Sequence, residues 1–468
     1  MNSVVLIVLI AVGAVGLLLA LRSWRHTIFF VMFLIVFEGA IRKWGLPSLQ
    51  SQIYFIKDAV LLLAIGKFLS EQRVAGVHEP LLSAVKSILS LTFIYCLLQI
   101  ANPYSPSPLL GLLGLKSYLL YTVLMFMVPY AFSSIDDFHR KMRIYMMIMV
   151  PVALLGLIQF AAPPEHWLNV QLDHDPNDPT FASRFGADDR VRASSTFSFI
   201  GGYATFIEAM LLLSLAYLFV GSRDARFNRV AYALLTACTL GIFTAGSRSV
   251  VFGVFVAVAF MVLLCSKARI LKSGASFRLL VGSVGILLLF SFTAQDAFEA
   301  YTYRSENSDD PLERLYSPIS EMLTALETSP LIGTGIGTTA NAGATIMQSR
   351  ELWWLDGHLY ELETARVMQE VGIVGFLLVF GMRIVLVFTA AAMVMRLREP
   401  LFKALSAAIA AFFLLHIGLF VINNPTAGIF YWFGAGLLFA MYRLDYERIE
   451  MTVRRPSKAM FVWPMVGH

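Results

Sequence analysis

Along most of the chain, apolar residues gather in unbroken runs of about 17–25 residues, the length an α-helix needs to cross a bilayer. They do not alternate in short stretches as the strands of an outer-membrane barrel do. Thirteen runs qualify as candidate spans, roughly 3–20, 27–41, 53–69, 81–100, 109–131, 144–162, 196–220, 230–246, 249–265, 279–295, 366–395, 401–420 and 425–442. The first, "VVLIVLIAVGAVGLLLAL", lacks the basic leader and the small-residue cleavage site of a signal peptide, so it reads as a retained span. A re-entrant pair within 27–69 would change the early topology and leave everything after residue 81 in place. Two polar segments, 163–195 and 296–365, are too rich in Pro, Asp, Glu, Asn and Ser to cross. Loops of that length are usually functional or disordered. The second contains "LERLYSPISEMLTALE", where Leu312, Leu315, Ile319, Met322 and Leu323 fall on one stripe at helical spacing. A helix lying on the membrane surface is predicted there. The predicted fold class is an all-α polytopic membrane bundle of about twelve to thirteen transmembrane helices, with a long extracytoplasmic loop carrying short surface helices. No internal repeat or low-complexity tract interrupts the pattern.

Composition agrees with this. Of 468 residues, 58% are hydrophobic and 14% charged, and the mean hydropathy is +0.71. That is more apolar surface than a water-soluble globule can hide. Cys96, Cys238 and Cys265 all lie in apolar segments, where they read as buried small hydrophobes and neither as disulfides nor as metal ligands. The net charge of +5 points to orientation in a membrane and not to nucleic acid. One alternating set of loops and the tail after Tyr442 hold twenty-two Lys and Arg, and the other set holds nine. By the positive-inside rule the first set is cytoplasmic, which puts the N-terminus outside and the C-terminus inside. The chain divides into N-terminal membrane helices and the first long outer loop (1–195), central membrane helices with a tight turn at Arg248 (196–295), the second outer loop (296–365), and C-terminal membrane helices with a basic tail (366–468).

The nine outward basic residues carry the candidate chemistry: Arg42, Lys43, Arg184, Arg190, Arg192, Arg248, Arg304, Arg314 and Arg350. Arginine dominates, and its planar fork binds phosphate bidentately and tolerates partial desolvation. The cluster suits an anionic ligand presented from the membrane, such as a lipid diphosphate. The plain alternative is pairing with the Asp and Glu of the same loops. Arg248 has no acid near it in sequence. "AGSRS" joins two runs of about 17 residues, each about 26 Å long, so it sits at a tight turn near the outer interface.

Further along, "SPLIGTGIGTTANAG" resembles a nucleotide loop only superficially, lacking its strand and its Lys-Ser/Thr. Gly333, Gly335 and Gly337 read instead as a flexible, close-approach turn. His358 can take a proton from a hydroxyl or stay charged beside phosphate, and a lone loop histidine is also often incidental. Trp353 and Trp354 suit an interfacial belt or a sugar platform. Glu363, Arg366 and Glu370 share a helix face and are expected to pair with one another. Glu38, Lys57, Asp58, Lys116, Glu208, Arg383 and His416 are intramembrane polar groups, functional candidates that structural pairing can also explain. "LDHDPNDP" (172–179) crowds acids but lacks the glycine and closing glutamate of a calcium loop, so it reads as a solvated loop.

Four features together resemble the O-antigen ligase/polymerase superfamily of bacterial envelope glycosyltransferases. They are "TAGSRSVVFG" opening a span, an arginine-bearing loop ahead of "SPLIGTGIGT", the histidine of "DGHLYEL", and "QEVGIVGFLL" entering the next span. The likeness covers mainly residues 190–380, and "FEGAIRKWGLPS…YFIKDAVLLL" is similar to a subgroup met in exopolysaccharide clusters. The resemblance implies metal-independent, cofactor-free, inverting transfer of a glycan from undecaprenyl diphosphate at the periplasmic face of the bacterial inner membrane. It makes 296–365 the catalytic loop, with Arg248, His358 and a loop arginine, Arg314 or its rival Arg304, as catalytic residues. Preorganised arginines would absorb the charge of the leaving diphosphate, and His358 would accept the acceptor's proton or help hold phosphate. Arg190 and Arg192 would add phosphate or sugar contacts, Trp354 a sugar platform, and Arg42 and Lys43 a lipid entry. The partners implied are the lipid-linked glycan, a glycan or lipid acceptor, the bilayer and a chain-length regulator. Polymerisation of repeat units is favoured over ligation to lipid A core or protein. A secondary transporter or flippase would instead show paired broken helices and inverted repeats, and a non-catalytic assembly protein is the remaining alternative.

Overall fold

The computed structural model describes residues 22–46, 49–71, 80–169, 184–185, 190–221, 225–271, 311–340, 342–343, 359–453 and the isolated positions 14, 18, 347 and 355. The candidate spans 3–20 and 279–295 lie outside the described residues, as do Arg304, Arg350, Trp353, Trp354, His358 and most of "LDHDPNDP" and its surroundings.

Twelve α-helices occur among the described residues: α1 (Trp24–Ala40), α2 (Gln50–Glu71), α3 (Pro80–Ile100), α4 (Pro108–Tyr130), α5 (Ile135–Ala161), α6 (Ile200–Val220), α7 (Ala225–Thr244), α8 (Arg248–Lys267), α9 (Pro311–Thr328), α10 (Glu363–Arg396), α11 (Pro400–Leu415) and α12 (Pro425–Val453). The chain is thus an all-α membrane-type bundle, with nine described helices long and apolar enough to cross. A two-residue hairpin, β1 (Arg184–Phe185) with β2 (Arg190–Val191), is the exception. Local signals set several ends. Ser107 caps α4, accepting from the Leu109 N–H ahead of Pro108 in the first turn. Ser134 caps α5 the same way through the Asp137 N–H, with Asp136 and Asp137 favoured by the helix dipole.

α12 is the most enclosed helix and packs on α4, α6 and α1. Around it α11 lies against α6, α8 and α10, while α5 and α6 both pack on α7. The outer faces carry exposed large apolar side chains such as Leu62, Leu98, Phe252, Leu377 and Phe388. In water so much apolar area would be costly, whereas lipid accepts it. α1 and α2 form a full-length antiparallel pair. Trp24 meets the Phe68 ring at 4.9 Å at one end, and Glu38 meets Lys57 at 2.9 Å at the other. Residues 27–69 therefore hold two antiparallel helices joined by a π-helical turn at Ile41–Gly45, the first of them long and apolar enough to cross a membrane.

α10 departs most from its apolar pattern. As a straight helix, Glu363 and Arg383 would stand about 30 Å apart, yet their side chains form a buried ion pair. The chain reverses at Gly372, whose φ of 61° and ψ of −168° are non-helical. The predicted span 366–395 is thus a short buried leg, Glu363 to Val371, that folds back on a longer one. The loop "LIGTGIGTTA" fills the break. Ile373 N–H donates to Leu331 O, while Thr334 and Gly335 N–H donate to Gln369 O and Glu370 O. Gly333, Gly335 and Gly337 all have positive φ, and a Cβ at Gly337 would lie 2.1 Å from Leu110 O. The close approach expected of these glycines is real. From Gly333 onward most of the loop is buried in protein, while Leu331 and Ile332 are exposed, and its backbone polar groups find partners within the fold.

α9 forms a helix where the apolar stripe predicted one, lying along α10. It turns Ala325, Met322 and Leu326 inward and leaves Tyr316, Ile319 and Leu323 exposed. Cys96, Cys238 and Cys265 are buried free thiols, as expected.

Candidate functional site: a cation-rich cavity

The intramembrane polar residues come together as pairs, and Glu38, Arg42 and Lys57, with Tyr54 and Ser117, line a cavity of about 480 Å³. Lys57 Nζ lies 2.9 Å from Glu38 Oε2, and Arg42 Nη1 lies 3.4 Å from Glu38 Oε1. On the next turn Asp58 takes Lys116 at 2.7 Å and the Tyr121 hydroxyl at 2.7 Å. The Tyr54 ring lies among all three cations, 3.9 Å from Lys57 Nζ, 4.3 Å from Lys116 Nζ and 5.4 Å from Arg42 Cζ. Spacing explains the grouping on each helix, because Glu38 and Arg42 are i,i+4 on α1 and its π turn, and Tyr54 and Lys57 are i,i+3 on α2. Three cations thus face two carboxylates inside the bundle. A buried unmatched charge is costly, so this surplus favours an anion.

The other walls come from distant parts of the chain. Ser198, which accepts from Arg42 Nη1 at 2.9 Å, belongs to the segment 193–199. Gln159 Oε1 holds the Ser194 and Ser195 N–H groups, Ser195 Oγ donates to Val152 O, and Thr196 Oγ1 donates to Val36 O. Gly39 lets α1 touch this segment, since a Cβ there would lie 2.2 Å from Ser198 N. Opposite, Arg366 enters on the short leg of α10. Its Nε donates to Tyr360 O at 2.7 Å and its guanidinium lies 5.7 Å from the Phe420 ring.

Glu363, Arg366 and Glu370 do not close on each other as expected. The Glu363 carboxylate accepts the N–H groups of Val421, Ile422 and Asn423 at 2.9–3.1 Å and pairs with Arg383. Arg383 also donates to Ile417 O and Leu419 O. Together they pin the segment that carries Phe420, Ile422, Asn423 and Asn424 to the cavity wall. Glu370 accepts from Tyr118 Oη, Thr339 N–H and Thr339 Oγ1 at 2.8–2.9 Å, anchoring the glycine loop. Both acids stand on the leg before Gly372, and what packs against each end of that leg sets their different partners. Deeper in the bundle, Glu208 and His416 are 3.6 Å apart, both nearly enclosed.

Of the residues singled out in the sequence, Arg42 lines the cavity. Its neighbour Lys43 does not line it. It turns away into Ser194 Oγ at 3.0 Å and Ser195 O at 2.6 Å, because the π turn points successive side chains apart. Arg192 Nε donates to Ala245 O at 3.3 Å, and Ala193 N–H to Thr244 O, so Arg192 braces the turn before Arg248 and lies off the cavity wall. That turn is as tight as expected: α7 ends at Thr244 and α8 starts at Arg248. Arg190 lies in β2 and Arg184 in β1, and Arg314 lies in the first turn of α9. Their side chains, like that of Arg248, lie outside the described residues. His358, Trp354 and Arg304 do so entirely. Sequence reasoning missed Tyr54, Ser198, Gln159 and Asn423. No charge or motif marks these four, and only convergence of distant chain segments gives them a role. Among the described residues no group of three His, Cys, Asp or Glu is placed to hold a metal ion.

No family model matches the chain, and no curated protein matches it.

Proposed function

We propose that the chain is a membrane glycosyltransferase that moves a glycan from an undecaprenyl-diphosphate carrier to an acceptor hydroxyl, polymerising exopolysaccharide or O-antigen repeat units. The observation that carries this reading is the cavity. Arg42 and Lys57 meet Arg366 across about 480 Å³, with Tyr54, Phe55, Phe197 and Phe420 beside them. Clustered cations in a low-dielectric site stabilise a departing diphosphate far better than they would in water. The aromatic rings suit sugar or isoprenoid contact.

The loop charge bias supports the orientation. Arg25, Arg140, Lys141 and Arg443 gather at the opposite end of the bundle, around the turn 129–133. Positive-inside logic makes that end cytoplasmic and opens the cavity toward the periplasm of the inner membrane. Arg248, Arg314 and His358 remain the catalytic candidates that the superfamily resemblance supplies, with Arg190, Arg192, Arg304 and Trp354 as further substrate contacts.

Purified protein given a lipid-diphosphate-linked oligosaccharide should yield a ladder of lengthened chains on a gel. The ladder should vanish with Arg42→Ala and with Arg248→Ala. A single transfer that requires added lipid A core or protein would make the enzyme a ligase. Substrate uptake into vesicles with no change in glycan length would replace the reading with transport.

A further inference from the structure

Glycosyl transfer to a hydroxyl needs somewhere for a proton to go. As the acceptor oxygen bonds to the anomeric carbon, the bond from that carbon to the diphosphate oxygen breaks. The electron pair leaves with the diphosphate, and the hydroxyl proton must be taken up. Among the described residues lining the cavity, one carboxylate occurs, Glu38, and no histidine or cysteine. Arg42, Lys57 and Arg366 serve as hydrogen-bond donors. Tyr54 is a phenol, and the remaining polar groups are the hydroxyls of Ser117, Ser198 and Thr426 and the amides of Asn423 and Asn424. None of these accepts a proton near neutral pH.

We infer that Glu38 is the proton acceptor of the transfer, a catalytic role that rests on the group-transfer reading above. The geometry is suited to it. Lys57 Nζ sits 2.9 Å from Glu38 Oε2, so this enclosed oxygen is held by the lysine's charge. Arg42 shares the other oxygen at 3.4 Å and reaches past it to Ser198. The carboxylate is also fixed in place. Gly39, the next residue, is in contact with the backbone of 196–198, and Thr196 donates to Val36 O one turn earlier. A base held this way need not reorganise when the substrate arrives.

A diphosphate seated on Arg42 and Lys57 would lie beside the carboxylate that takes the proton. The proton it takes forms the neutral carboxylic acid, which returns it to water after the diphosphate leaves.

The test uses full-length protein in vesicles with the lipid-diphosphate-linked oligosaccharide, measuring the transfer rate and, separately, donor binding. Glu38→Gln should lower kcat by about 10²–10⁴-fold, the usual contribution of a general base. Its donor KM should be unchanged or lower, because a negative charge has been removed from beside the cations. Glu38→Ala should regain part of its rate with added formate, a small carboxylate that fits the space left. Glu38→Asp keeps both ion pairs and tests the same point if the other two fold poorly; it should lose kcat with donor binding intact. Four results would overturn the inference. A kcat for Glu38→Gln within tenfold of wild type is the first. A loss confined to donor KM, with no formate rescue, would make Glu38 a positioning residue for Arg42 and Lys57. Imidazole rescue of His358→Ala beside an active Glu38→Gln would move the role to the histidine. An inactive wild type would remove the group-transfer reading itself, and this inference with it.

Discussion

The two ends of the bundle are both basic, and they hold their charge in opposite ways. At the end around residues 129–133, Arg25 Nε donates to Tyr130 O, Lys141 to Ala131 O, and Arg443 to Pro129 O and Phe132 O. Arg140 and Lys141 also pair with Asp137, and the Arg140 side chain is 72% exposed. These cations border a hollow of about 510 Å³, slightly larger than the cavity at the other end. At that other end Arg42, Lys43 and Lys57 are buried among helices, and a single carboxylate, Glu38, faces two of them. Exposed cations satisfied by carbonyls of a turn cost little and serve to orient a membrane protein. Buried cations in surplus over their acids are expensive and call for a ligand. Size does not separate the two hollows, whereas burial and charge balance do.

Substitutions at each end can break this contrast. The largest effect is expected from Lys57→Met, which leaves Glu38 with Arg42 alone. Breaking one partner from a buried pair costs about 3–5 kcal/mol, to be read as loss of unfolding free energy in detergent. A loss below about 1 kcal/mol, as at exposed pairs, would mean that the cluster is solvated and the contrast false. Next, Arg42→Ala should reduce glycan transfer by about 10²–10³-fold, the usual effect of removing one preorganised donor. Arg25→Ala, at the opposite end, should leave transfer at the wild-type rate, and a matching loss there would erase the functional distinction between the ends.

Smaller effects sharpen the picture. Gly337→Ala forces a side chain onto a φ of +82° and into Leu110 O. Backbone strain of this kind costs about 1–3 kcal/mol, visible as a lower Tm, and a neutral result would show that the glycine loop is not packed as described. Last, Arg140→Ala removes an exposed partner of Asp137 and should change stability by about 0.2–1 kcal/mol, measured by the same unfolding experiment in low and high salt.

Much of this was legible from residue patterns. The runs at 81–100, 109–131 and 196–220 appear as helices at nearly those bounds, and the amphipathic stripe at 312–323 marked α9. The seven charged or ionisable residues inside apolar runs were also visible, and every one of them is paired: Glu38 with Lys57, Asp58 with Lys116, Glu208 with His416, Arg383 with Glu363. Their partners were not visible. Lys116 and Asp58 sit on helices separated by a third, and no local rule links them. Glu363 and Arg366 misled for a definite reason. Helical spacing puts them on one face with Glu370, but their contacts are set by what packs against that face.

The sequence by itself determined the all-helical membrane class, the lengths of most helices and which ionisable groups must be buried. Each of those follows from hydrophobicity and period along a single stretch of chain. Only the tertiary structure decided the reversal at Gly372, because a lone glycine inside an apolar run is tolerated in a straight helix at about 1 kcal/mol and signals no break. Only the tertiary structure decided the cavity as well. Its walls combine α1, α2, α4, the 193–199 segment, α10 and the 420–426 segment, and their meeting depends on non-local packing and charge pairing that no one-dimensional pattern records.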